Sequence, residues 1–78
     1  MNKKTLQQLE EKKSYYSDKI YPPMRQHGKS QMQLHYFITY LAYYDAIEKV
    51  QELDTEIDFI TAEQKYVVPY IERAMEKL

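Results

Sequence analysis

Gly28, Lys29 and Ser30 are the residues of this chain whose order comes nearest to spelling out a chemistry. They close the window PMRQHGKS, which follows the phosphate-binding pattern G-x-x-x-x-G-K-[ST] except that Pro23 stands where the first glycine belongs. Such a loop works by aiming successive backbone N–H groups at phosphates, while the lysine reaches the outer phosphates and the hydroxyl holds Mg²⁺. Proline at the first position fixes φ and deletes an N–H. The pattern also belongs between a strand and a helix, and the preceding EEKKSYYSDKI reads as helix. Nucleotide hydrolysis is therefore not expected. A smaller feature survives: Arg25, His27 and Lys29 alternate ahead of Ser30, which can cap the helix that follows. Helix N-termini attract anions through unpaired N–H groups and the dipole, so these four residues form a candidate anion or acidic-partner site. The competing reading is a solvated connector in which Pro22 and Pro23 stop one helix, Gly28 frees the backbone and Ser30 starts the next.

Other chemistry is sparse. His27 and His35 lie eight apart with no carboxylate at helical metal spacing, and His35 reads as a half-buried, hydrogen-bonded histidine rather than a ligand. Glu48, Glu52 and Glu56 repeat every four residues, which describes a solvated acidic face more simply than a carboxylate metal site without histidines. No serine or threonine pairs with a histidine and an acid in a recognisable triad. No enzyme activity, cofactor or metal is expected. The unusual feature is nine tyrosines. A tyrosine buries its ring while its hydroxyl seeks a polar partner, which suits core edges and interfaces.

These side chains need elements to position them, and the apolar spacing is helical. A first helix is expected over residues 5–20, capped by Thr5 with Gln8, striped by Leu6, Leu9, Lys13, Tyr16 and Ile20, and stopped ahead of Pro22. A loop over 21–30 follows. A second helix over 31–53 starts at Ser30 with Gln33. On a wheel it carries two apolar faces, Leu34, Phe37, Ile38, Leu41 and Tyr44 on one, Tyr36, Tyr40, Tyr43, Ile47 and Val50 on the other. The remaining sector, His35, Thr39, Ala42 and Ala46, is mostly small. The apolar arc exceeds twice the roughly 100° of a surface helix, so this helix should be central.

Beyond Ile47 a single seam continues through Val50, Leu53, Ile57, Ile60, Gln64, Val67, Ile71, Ala74 and Leu78. One helix of about 70 Å from residue 31 to the end would satisfy it. A turn within 53–61, capped by Asp54, Thr55 or Thr61, would instead give a third helix over 55–77, kinked at Pro69. The second reading is preferred. The fold class is all-α: a small three-helix bundle, or a helical hairpin with a long central helix, completed by dimerisation.

Seventy-eight residues make a single domain with a marginal core, and the absence of cysteine rules out disulfides, thiol chemistry and zinc ribbons. The N-terminal MNKKTLQQLEEKK has no apolar stretch of a secretory signal, and MQLHYFITYLAYYDAI is too interrupted for a membrane span. A soluble cytoplasmic protein with no membrane partner is expected. The net charge of −1 conceals +4 over residues 1–35 and −5 over 36–78.

The composition fits a small non-enzymatic helical protein that binds another macromolecule, of the accessory kind found in bacteria, phages and mobile elements. A homodimer is expected, with Tyr36, Tyr40, Tyr43 and Tyr44 as the protein-contact surface. Two alternatives stand beside it. One is a nucleic-acid-binding regulator using Lys12, Lys13, Arg25 and Lys29, which the near-neutral charge disfavours. The other is an immunity-type or inhibitor protein with one dedicated protein target.

Overall fold

The helical spacing of the sequence is realised in three helices. The computed structural model describes residues 3–26 and 31–77, with side chains described at 3–20 and 34–77; α1 spans Lys3–Gln26 and α2 spans Gln31–Glu52. A third helix over 59–76 is continuous but not uniform: α3 (Phe59–Ala62), a π-helical turn (Glu63–Val67) and α4 (Val68–Glu76). The described residues contain no strand. The protein is all-α, and α2 is its central element, packed against α1 on one side and the third helix on another. Among the described residues, no helix is long and apolar enough to cross a membrane.

The stripe of α1 lies as its spacing requires, with Leu9 and Ile20 buried and Leu6, Lys13 and Tyr16 half-buried. Its ends differ from expectation. The helix begins at Lys3, so Thr5 is not a cap; its buried hydroxyl donates to the Ile57 carbonyl at 2.7 Å and ties α1 to a turn 52 residues away. At the other end the helix passes through Pro22 and Pro23 to Gln26 instead of stopping at residue 20. The fixed φ of proline, about −65°, is itself helical; what the prolines remove is the pair of amide donors that would reach the Asp18 and Lys19 carbonyls.

In α2 the sector that reads as merely small is the centre of the core. Thr39, Ala42, Tyr43, Ala46 and Val50 are buried along one side, flanked by Ile38 and Ile47. Small side chains let backbones approach closely, and close approach excludes water more completely than bulk does. Thr39 remains satisfied by donating its hydroxyl to the His35 carbonyl at 2.8 Å.

The chain turns after Glu52 without glycine or proline. The last α2 hydrogen bonds run from the Leu53 amide to the Lys49 carbonyl at 2.8 Å and from Asp54 to Val50 at 3.3 Å, and the Ile57 amide then donates back to Asp54 at 3.1 Å. The cap of the third helix is Asp58, not Asp54, Thr55 or Thr61: its backbone is extended and its carboxylate accepts the Thr61 amide at 2.7 Å.

The expected kink at Pro69 takes the form of a π-helical turn just before it. The Val68 amide donates to the Glu63 carbonyl five residues back. Proline lacks an amide for the usual bond and crowds the carbonyl four residues earlier, so widening the preceding turn accommodates it. The wider turn also resets the register. Ala62 and Val67, five apart, are both buried, whereas Leu53 and Ile60 of the expected seam are 67% and 66% exposed. The seam therefore holds only in part. Val50 and Val67 are buried and Ile57, Ile71 and Ala74 half-buried, but Phe59, Ala62, Glu63 and Tyr66 line the N-terminal half of the third helix.

Candidate functional site

Of the four residues in the candidate anion site, Arg25 has its backbone in the last turn of α1, while His27, Lys29 and Ser30 lie outside the described residues, as does the side chain of Arg25.

The four tyrosines expected to form one surface separate. Tyr43 is buried in the core and is no part of an exposed face. Its ring stacks on Tyr16 of α1, with centroids 5.8 Å apart and planes 13° from parallel. Tyr16 in turn meets Tyr15 edge-on at 5.1 Å and Tyr36 at 6.1 Å. The Tyr43 hydroxyl donates to Glu63 Oε2 at 2.6 Å, at the start of the π-helical turn. Burial first, and then this bond to a carboxylate, hold that hydroxyl well above the usual tyrosine range. Tyr43 thus joins all three helices. Tyr36 and Tyr40 are half-buried on the flank of α2, and Tyr44 is 48% exposed with the Lys13 ammonium 5.3 Å from its ring centroid.

What α2 leaves outside is a different row. Leu34, Phe37, Leu41 and Tyr44 follow one another at three- and four-residue steps on the side of the helix opposite Ala42, Ala46 and Val50. Phe37 is 38% exposed, and Leu34 and Leu41 are half-buried. Glu48 continues the row, exposed. The sequence wheel contains this face, and the clue to which face turns outward is the small sector opposite, where the other helices come closest.

A polar knot closes the far end of the molecule. The Asp54 carboxylate accepts from Lys65 Nζ at 2.8 Å and from the Tyr66 hydroxyl. The Lys65 bond first, and the Tyr66 bond second, hold the Asp54 carboxyl below its ordinary range, while the same contacts raise Lys65 and Tyr66. No sequence spacing signals this trio, because it forms only once the turn brings residues 54 and 65 together.

Small-molecule chemistry has little to work with. A cleft of 210 Å³ between α1 and α3, lined by Gln8, Glu11, Lys12, Tyr15 and Phe59, falls below the roughly 300 Å³ at which ligand pockets begin. The trough between α2 and α4 is wider but open and largely charged, with Asp45, Lys49, Arg73 and Lys77 on its walls. His35 is exposed rather than half-buried as expected. Among the described residues no group of three His, Asp or Glu side chains converges as a metal site would require. No family model, curated protein or solved structure matches the chain.

Proposed function

We propose that this chain is a small non-enzymatic protein that acts in the cytoplasm by binding another macromolecule, through the outer face of α2. The observation that carries the reading is the row Leu34, Phe37, Leu41 and Tyr44, an apolar helix face on the side away from the core. A helix of a small domain gains nothing from an outward row at this spacing, whereas a partner helix laid along it removes the row from water. The polar side chains that converge elsewhere are occupied in joining elements: Tyr43 with Glu63, Thr5 with Ile57, Asp54 with Lys65 and Tyr66. A small accessory protein of a bacterium, phage or mobile element is the setting this reading suits, and an immunity-type or inhibitor protein with one protein target is a special case of it.

The test is a comparison of baits from host extract. Wild type and Phe37→Lys, matched for helicity and melting temperature, should differ in one retained macromolecule; equal retention of everything by both would remove the α2 face from consideration. A nucleic-acid reading has its own observation, the Lys19 ammonium 5.1 Å from the exposed Tyr15 ring on the basic helix α1. It requires salt-sensitive retention on heparin that is lost when Lys12, Lys13, Arg25 and Lys29 are changed to alanine.

A further inference from the structure

We infer that the occupant of the α2 face is a second copy of this chain, bound antiparallel so that Leu34 and Phe37 of each copy meet Tyr44 and Leu41 of the other. This rests on the reading above and names its partner. Four observations point the same way. The row is nearly symmetric in size about its own centre, large at both ends and in between, so an antiparallel two-fold axis at the level of residue 39 superposes it on itself. Every apolar member then has an apolar counterpart, as an isologous interface requires.

Charge supplies the direction. The first turn of α2 carries no acidic residue, while Asp45, Glu48 and Glu52 crowd its C-terminal part, where the helix's own dipole disfavours them. With the axis at residue 39, Glu48 of one copy falls against the N-terminal turn of α2 in the other, where a carboxylate is favoured. A parallel pair would instead bring Glu48 against Glu48. The surface also has area to spare. The chain exposes 5607 Å², against about 5,000 Å² for a folded monomer of this mass. The excess, roughly 600 Å², approaches the approximately 800 Å² that each partner contributes to a specific interface. It corresponds to a reversible dimer rather than a permanent one.

The chain has no cysteine, so single-cysteine variants report orientation directly. Leu34→Cys, Tyr44→Cys and an equal mixture of the two are treated with a short bis-maleimide. The antiparallel pair cross-links only in the mixture, because like residues at either end of the row stand about 15 Å apart along the axis. Cross-linking of Tyr44→Cys with itself and not in the mixture would overturn the arrangement. Sedimentation equilibrium of the wild type should show a concentration-dependent mass rising from 9.5 kDa toward twice that value. Leu41→Lys, counted twice in a two-fold interface, should weaken association by about a hundredfold. Since Leu41 is half-buried, the exposed Glu48→Lys provides a variant that leaves the fold intact. It should weaken association about tenfold at low salt, with the difference fading at high salt. A wild type that stays monomeric throughout refutes self-pairing. If Phe37→Lys still abolishes capture of a different macromolecule, the α2 face stands with another occupant; if it changes nothing, both readings fall.

Discussion

Removing one oxygen atom separates the core role of Tyr43 from the contact role its sequence position suggests. In Tyr43→Phe the ring still stacks on Tyr16, and only the bond to Glu63 Oε2 at 2.6 Å is lost. A hydrogen bond to a charged acceptor is worth about 1.5–3 kcal/mol net, and the half-buried position of Glu63 allows water to replace part of it, so the cost should be about 1.5 kcal/mol. Against a total stability of about 4–12 kcal/mol for a chain this size, that is a large fraction. It corresponds to a fall in melting temperature of about 6–12 °C. Urea unfolding followed by helical circular dichroism would read it as a lower midpoint with unchanged slope. The pH dependence supplies an independent check. The folded hydroxyl is held above its ordinary value of 10.0 by burial and the Glu63 bond. The unfolded tyrosine therefore loses its proton first, and stability should fall as pH rises above about 10 toward the folded value. Tyr43→Phe should flatten that fall. A variant as stable as wild type, with an unchanged alkaline profile, would show that the bond holds nothing together.

Three further outcomes follow from the same contacts. Thr5→Val removes the donor to the Ile57 carbonyl inside the core and should cost about 1–2 kcal/mol in urea unfolding, more than any exposed threonine. Asp58→Ala removes the cap of the third helix and should cost about 1 kcal/mol, whereas Thr55→Ala, at a position the sequence also offers as a cap, should be nearly neutral. Asp54 is held below its ordinary 3.8 by Lys65 and then Tyr66, so its contribution is present above that value and lost as pH falls through the lower folded value. Asp54→Asn should therefore melt with a weaker pH dependence below pH 4, by a small margin that salt erodes further because the site is exposed.

The class of fold, the stripe of α1, the centrality of α2 and a break near residue 54 are all legible in the sequence, because each depends on local periodicity. What the sequence conceals is set by contacts between distant residues. Thr5 has the form of an N-cap, yet its hydroxyl is claimed by Ile57. The cap at Asp58 competes with three neighbours of equal propensity and is selected by how the turn is anchored. The seam loses Leu53 and Ile60 because a heptad count assumes a constant turn, and the π-helical turn ahead of Pro69 adds a residue to it. For the candidate site, the apolar arc of α2 is legible but its outward side is not. Tyrosine count draws attention to Tyr43, whereas the small residues Ala42 and Ala46 decide which way the helix faces.

The central claim is that macromolecular contact is made on the outer face of α2. The chain has two phenylalanines, Phe37 on that face and Phe59 beside the cleft between α1 and α3. Fluorine NMR of protein labelled with 4-fluorophenylalanine therefore gives one resonance for each surface, across a concentration series and with any captured partner. The account predicts that the Phe37 resonance shifts and broadens while that of Phe59 stays in place. Movement of Phe59 with Phe37 unchanged would contradict it.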